Sequence, residues 1–186
     1  MKKQMTVVVS PQATAAYAWL AKPDEGQQYS DGKYKVTLVL DKKDDDVAEF
    51  IEKLTNIGTE LGTAEFGKLP KTFKMPFKDG DDAGKEEFEG KWLIVAKTKY
   101  QPGFVDASKK ALTEGVTPMS GDVIRASFAL SAYKAGGGMG VSCQLRNVML
   151  IEKRNSGGGG GDDFSDIEVG EEFQGATVDD SEDFDI

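Results

Sequence analysis

Between residues 71 and 78 the chain reads KTFKMPFK, so Lys71, Phe73, Lys74, Phe77 and Lys78 interleave cations with aromatic rings. A cation neutralises a phosphate and a ring face accepts a stacked base; together they are the surface chemistry that grips single-stranded nucleic acid. The pairing recurs further along. In KWLIVAKTKY, 91–100, Lys97 and Lys99 share a strand face and Tyr100 follows. In DVIRASFALSAYK, 122–134, Arg125, Ser127, Ser131 and Tyr133 stand opposite an apolar face of Ile124, Phe128 and Leu130, and Lys134 comes next. Arg146 closes the set of expected DNA contacts. Each base stacked on an aromatic contributes about 1–3 kcal/mol, and phosphate contacts add a salt-sensitive share. No zinc finger, basic zipper or Arg-rich recognition helix that would read a duplex is present.

Other chemistry is poorly supplied. The sequence has no histidine, which removes the commonest general base and metal ligand. Cys143, the single cysteine, shares a strand face with Val141 and Leu145 and reads as a buried, inert thiol. Asp44, Asp45 and Asp46 stand where a helix begins and read as its cap. The DGDD of residues 79–82 lacks the ligand order of a calcium loop and reads as a solvated turn. KAGGGMG, 134–140, joins strand to strand without the Gly-Lys-Ser/Thr ending of a phosphate loop, and reads as a flexible hairpin tip. No catalytic residue, metal or cofactor is expected, and the chain is read as a binding protein and not an enzyme.

The elements that must position these residues follow from periodicity. Strands are predicted over 13–21, 34–41, 91–100, 122–133 and 140–152. An amphipathic helix is predicted over 44–61, its stripe made of Val47, Phe50, Ile51, Leu54, Ile57 and Leu61. The fold class is therefore mainly β: a five-stranded antiparallel barrel with one helix between strand runs, a β-sandwich adaptor being the competing architecture.

The last 32 residues differ in kind from the rest. Residues 155–186 hold 11 of the 32 acids and none of the 23 bases, which leaves residues 1–154 at +2. The expected organisation is a binding domain over 1–154, a glycine-rich linker over 155–161 and a disordered acidic tail over 162–186. Phe164, Phe173, Phe184 and Ile186 are apolar anchors among the acids. The closing residues Asp179, Asp180, Glu182, Asp183, Phe184, Asp185 and Ile186 form the expected partner-binding end. The apolar run Met5–Val9 is too short for a signal peptide or a membrane span, so a cytoplasmic protein with no membrane contact is expected.

Taken together, YSDGKYKVTLVLDKKD, the helix, KLPKTFKMPFKDGDD, GKWLIVAKTKYQPGFVD, MSGDVIRASFALSAYKAGGGMGVSCQLRNVMLIEK and the acidic tail resemble the OB-fold single-stranded DNA-binding proteins of tailed bacteriophages. The resemblance spans residues 13–186. It implies an OB barrel that coats single strands without strong sequence preference during phage replication, recombination and repair, within the host cytoplasm. It also implies that the tail recruits phage or host replication proteins such as polymerase, helicase or recombination factors, while the tail's charge and its reach of about 30 Å predict that it competes with DNA for the basic surface of the body. Oligomeric assembly is left open.

Overall fold

The structure, a computed structural model, describes residues 4–26, 28 and 30–154. The tail residues singled out above lie outside these. Eight strands and one long helix are ordered β1 (Thr6–Val9), β2 (Ala13–Trp19), β3 (Tyr34–Asp41), α1 (Asp45–Phe66), β4 (Lys78–Asp79), β5 (Lys91–Thr98), β6 (Gly103–Asp106), β7 (Val123–Ala135) and β8 (Gly138–Glu152). Two short 3-10 turns, Gly80–Ala83 and Glu86–Phe88, precede β5.

The β-sandwich is not what forms. β7, β2, β3, β5 and β8 pair in succession and β8 pairs back on β7, so five strands close a ring. The expectation of a wholly antiparallel set also fails, for a geometric reason. An odd number of strands cannot alternate direction all the way round, so one neighbouring pair must be parallel, and here it is β5 with β8. β1 and β6 extend the sheet on either side, through β7 and β8 respectively. Sequence periodicity missed β1, β4 and β6 because strands of four residues or fewer show too little alternation.

Alternation is clear in the long strands. On β3, Val36, Leu38 and Leu40 are fully buried, and Ile94 and Ala96 of β5 and Ile124, Phe128 and Leu130 of β7 join them in one core. Helix α1 lays Val47, Phe50, Leu54 and Leu61 on that core, where the Phe50 and Phe128 rings meet edge to face at 6.4 Å. Asp44 caps the helix as expected, its side chain accepting from Asp46 N. The helix runs five residues past the predicted end, through Gly62, a residue that weakens an exposed helix. The glycine is tolerated because another segment docks there: a Cβ on Gly62 would lie 2.7 Å from Leu69 Cδ1 and 2.8 Å from Phe73 Cζ. Gly58 likewise makes room for Met75 Sδ. Among the described residues no helix is long and apolar enough to cross a membrane.

Candidate nucleic-acid interface

β5 and β8 pair at a single register position, Lys97 with Gln144. On the N-terminal side of that pair the strands diverge, and residues 74–78 span the gap. One end of the segment bridges to β8 at Gly140 and the other joins β5 at Leu93. The bridge is specific: Lys74 N donates to Met139 O at 2.9 Å and Val141 N donates to Lys74 O at 3.0 Å. Midway, Cys143 Sγ lies 3.8 Å from Pro76 O. Helix α1 supports the same segment from behind at Gly58, which makes room for Met75.

This arrangement leaves a groove of about 770 Å³. Its apolar floor is Leu93, Val95 and Val141, and polar Thr98, Ser142 and Gln144 lie beside them. Among the described residues five lysines ring it, Lys33, Lys74, Lys78, Lys97 and Lys99, and no carboxylate lines it. Tyr133 and the 76% exposed Tyr100 supply flat rings. Among the described residues Lys33, Lys74, Lys78 and Lys99 make no ion pair, whereas Lys97 holds Asp31 at 3.0 Å. A concentration of cations over an apolar floor attracts a polyanion that also carries stackable rings.

The pKa shifts follow from these contacts. The Lys97 ammonium, bonded to the Asp31 carboxyl, holds it down at about 2. Because the folded value lies below the unfolded one, the stability this pair contributes is present above the ordinary carboxylate range and is lost as pH falls through about 2. Melting temperatures measured between about pH 5 and pH 2 are expected to fall less steeply in Asp31→Asn than in the parent protein. Burial pushes the Cys143 thiol up to about 12, so it stays protonated and unreactive.

Six of the residues singled out in the sequence meet in the groove: Lys74, Lys78, Lys97, Lys99, Tyr100 and Tyr133. The others lie elsewhere. Phe73 and Phe77 pack against the core, with their rings edge to face on Phe66 at 6.2 Å and on Trp92 at 5.3 Å. Lys71 is exposed in the turn before the groove segment, and Lys134 is exposed in the β7–β8 hairpin opposite Met139. Arg146 is the extra residue where β8 bulges between the Leu145–Phe128 and Asn147–Ser127 pairs, and it too is exposed. Arg125 lies about 25 Å along β7 from Tyr133 at ~3.3 Å per residue, in a separate hollow with Asp46, Glu49 and Lys53.

Lys33, Met75, Leu93, Val95, Ser142 and Gln144 were not singled out, although they line the groove. Ser142 and Gln144 had a legible signal, since both alternate with the buried Val141, Cys143 and Leu145. The DGDD stretch is not a free turn. Asp79 caps the first 3-10 turn, and Asp79 and Asp81 hold Lys42 Nζ at 2.5 and 2.7 Å. Among the described residues no cluster of three or more acids or cysteine has the geometry of a metal site.

Known proteins share the family and the fold of this chain. Residues 5–184 match the family model described as Enterobacter phage Enc34, ssDNA-binding protein. Among solved structures, gp2.5, a single-stranded DNA-binding protein encoded by bacteriophage T7, is 28% identical with a TM-score of 0.64, over 94% of this chain and 100% of that one. The single-stranded DNA-binding protein of bacteriophage Enc34 in complex with ssDNA has the same fold, with a TM-score of 0.64 at 18% identity over 80% of this chain and 88% of its own. A C-terminal truncation of the Enc34 protein matches at a TM-score of 0.63 and 22% identity, over 80% of this chain and 87% of that one. No curated protein matches the sequence.

Proposed function

The chain belongs to the family of the phage Enc34 ssDNA-binding protein, and from that premise we propose that its groove holds single-stranded DNA by stacking and phosphate contacts, without reading sequence. The observation that carries this is the groove itself: among the described residues, five lysines and two tyrosines stand around an apolar floor with no carboxylate in the lining. The ring of five strands is, in this reading, an OB barrel, and residues 1–154 are the DNA-binding domain. The protein coats and protects single strands during phage replication, recombination and repair in the host cytoplasm. It does so by binding alone.

The acidic end has a role of its own in this reading. Residues 162–186, joined through the glycine-rich 155–161, present eleven carboxylates to the cations that DNA phosphates also seek. The tail competes with DNA for them. When DNA displaces it, the end from Asp179 to Ile186 is released to recruit polymerase, helicase or recombination proteins.

Fluorescence anisotropy with labelled oligo(dT), its duplex counterpart and a chain ending at Arg154 tests both parts. Oligo(dT) is expected to bind far better than duplex, with affinity falling as salt rises. Truncation is expected to tighten binding and flatten its dependence on salt. Equal binding of duplex would overturn the groove reading. Unchanged affinity after truncation would overturn the competition alone.

A further inference from the structure

Strand β2 carries an aromatic side chain that the groove does not use. Tyr17 lies where β2 bulges against β3: Ala16 faces Thr37 and Trp19 faces Lys35, so one residue more is inserted on β2 than on β3. Its backbone is left-handed, with φ at 46°, a conformation that any side chain with a Cβ resists. Such strain persists only where the surroundings hold it, and it gathers at binding sites.

The surroundings here are specific. Phe88 meets the Tyr17 ring edge to face at 6.2 Å. Lys85 Nζ donates to the Tyr17 phenol oxygen and lies 4.9 Å from the ring centroid. Phe88 is itself buried but belongs to no part of the central core, so it acts as a pedestal under the tyrosine. Despite both supports Tyr17 remains 49% exposed. A ring fixed by a neighbour and a cation, on a residue half exposed to solvent, is available for contact at little entropic cost.

Its position relates it to the groove. Ala16, Thr37 and Val95 are register partners in one row, and Trp19, Lys35 and Lys97 in the next. Val95 and Lys97 line the groove. Tyr17 therefore lies at the level of the groove, two strands away, about 10 Å at ~4.8 Å per strand. Two or three nucleotides at the ~3.4 Å rise of a stacked strand cover that distance.

We propose that Tyr17, backed by Phe88 and flanked by Lys85, is a second base-stacking platform that receives single-stranded DNA leaving the groove across β3. The proposal rests on the single-strand reading of the groove. Lys85 adds a phosphate contact at the same place, so the platform carries the ring-plus-cation chemistry that the groove carries at larger scale.

Tyr17→Gly, Tyr17→Phe and Lys74→Ala, each measured on oligo(dT) of roughly 4 to 16 nucleotides, test it. Glycine suits the left-handed backbone, so Tyr17→Gly removes the ring without adding strain. The expected result is that Tyr17→Gly leaves the shortest oligonucleotide unaffected and weakens the longer ones by about 5- to 100-fold. Tyr17→Phe retains binding of the longer ones. A purely structural tyrosine would give, for Tyr17→Gly, a lower melting temperature with the same change at every length or none, and that overturns the platform. If Lys74→Ala also matches the parent at every length, the groove reading itself has failed and the platform with it.

Discussion

Replacing Lys74, Lys78 and Lys99 together with alanine is expected to weaken oligo(dT) binding by roughly 100-fold at low salt and to leave the melting temperature unchanged. The three line the groove, are exposed, and make no ion pair among the described residues, so the fold does not depend on their charge. Each screened phosphate contact contributes about 1 kcal/mol at the upper end of the range for exposed pairs. Three such losses correspond to about two orders of magnitude in affinity. The salt response discriminates more sharply than the affinity does. Every phosphate contact removed lowers the slope of log affinity against log salt by about 0.7 on a single strand, so the triple variant should lose about 2 from that slope. Alanine at Lys109 and Lys110, exposed in the turn after β6, is the matched control. A slope unchanged in the triple variant, or equally reduced in the control, would show that phosphates are neutralised outside the groove.

The second large effect is expected from one added side chain. A Cβ on Gly140 would lie 2.7 Å from Lys74 O, 2.9 Å from Lys74 Cβ and 3.2 Å from Tyr133 Cε1. Two of those contacts are with the very residue that bridges the groove segment to β8. Gly140→Val therefore cannot be accommodated without pushing residues 74–78 off the strand. The cost is two backbone hydrogen bonds at about 1 kcal/mol each plus overpacking of about 1–3 kcal/mol. A loss of about 3–5 kcal/mol corresponds to roughly 6–20 °C in melting temperature for a body of this size. DNA affinity falls with it, because Lys74, Met75, Pro76 and Lys78 all line the groove from that segment. Gly137→Ala in the same hairpin meets nothing within 4 Å and is expected to change neither quantity. If Gly140→Val melted like the parent, the segment would not be held by this bridge.

These two glycines show where reading the sequence stops. GGGMG is legible as a hairpin tip, since three consecutive glycines between two apolar alternations have little else to do. Nothing local separates the glycine that serves the turn from the one that admits Lys74, 66 positions earlier in the chain. The same holds for Phe73 and Phe77. Their interleaving with lysines is a real pattern, and the cations at 74 and 78 do reach the groove. The rings face the other way, onto Phe66 and Trp92, because in an extended segment neighbouring positions alternate sides and the apolar ones go to the core.

Composition and periodicity by themselves determined a mainly β body, one amphipathic helix, cations interleaved with aromatic residues, and a terminal stretch of a different electrostatic character. Those properties are sums over local residues or repeats of short period, and each is complete within a window of sequence. Tertiary structure alone decided which cations share a groove. It set Arg125 about 25 Å from Tyr133 along one strand and brought Lys33, Lys74 and Gln144 together from three distant segments. It also set the one parallel pair that an odd ring requires, and the divergence of β5 from β8 on the N-terminal side of Lys97 and Gln144 is what opens the groove. Closure of a ring depends on the register of all its strands at once, and no window of sequence contains that information.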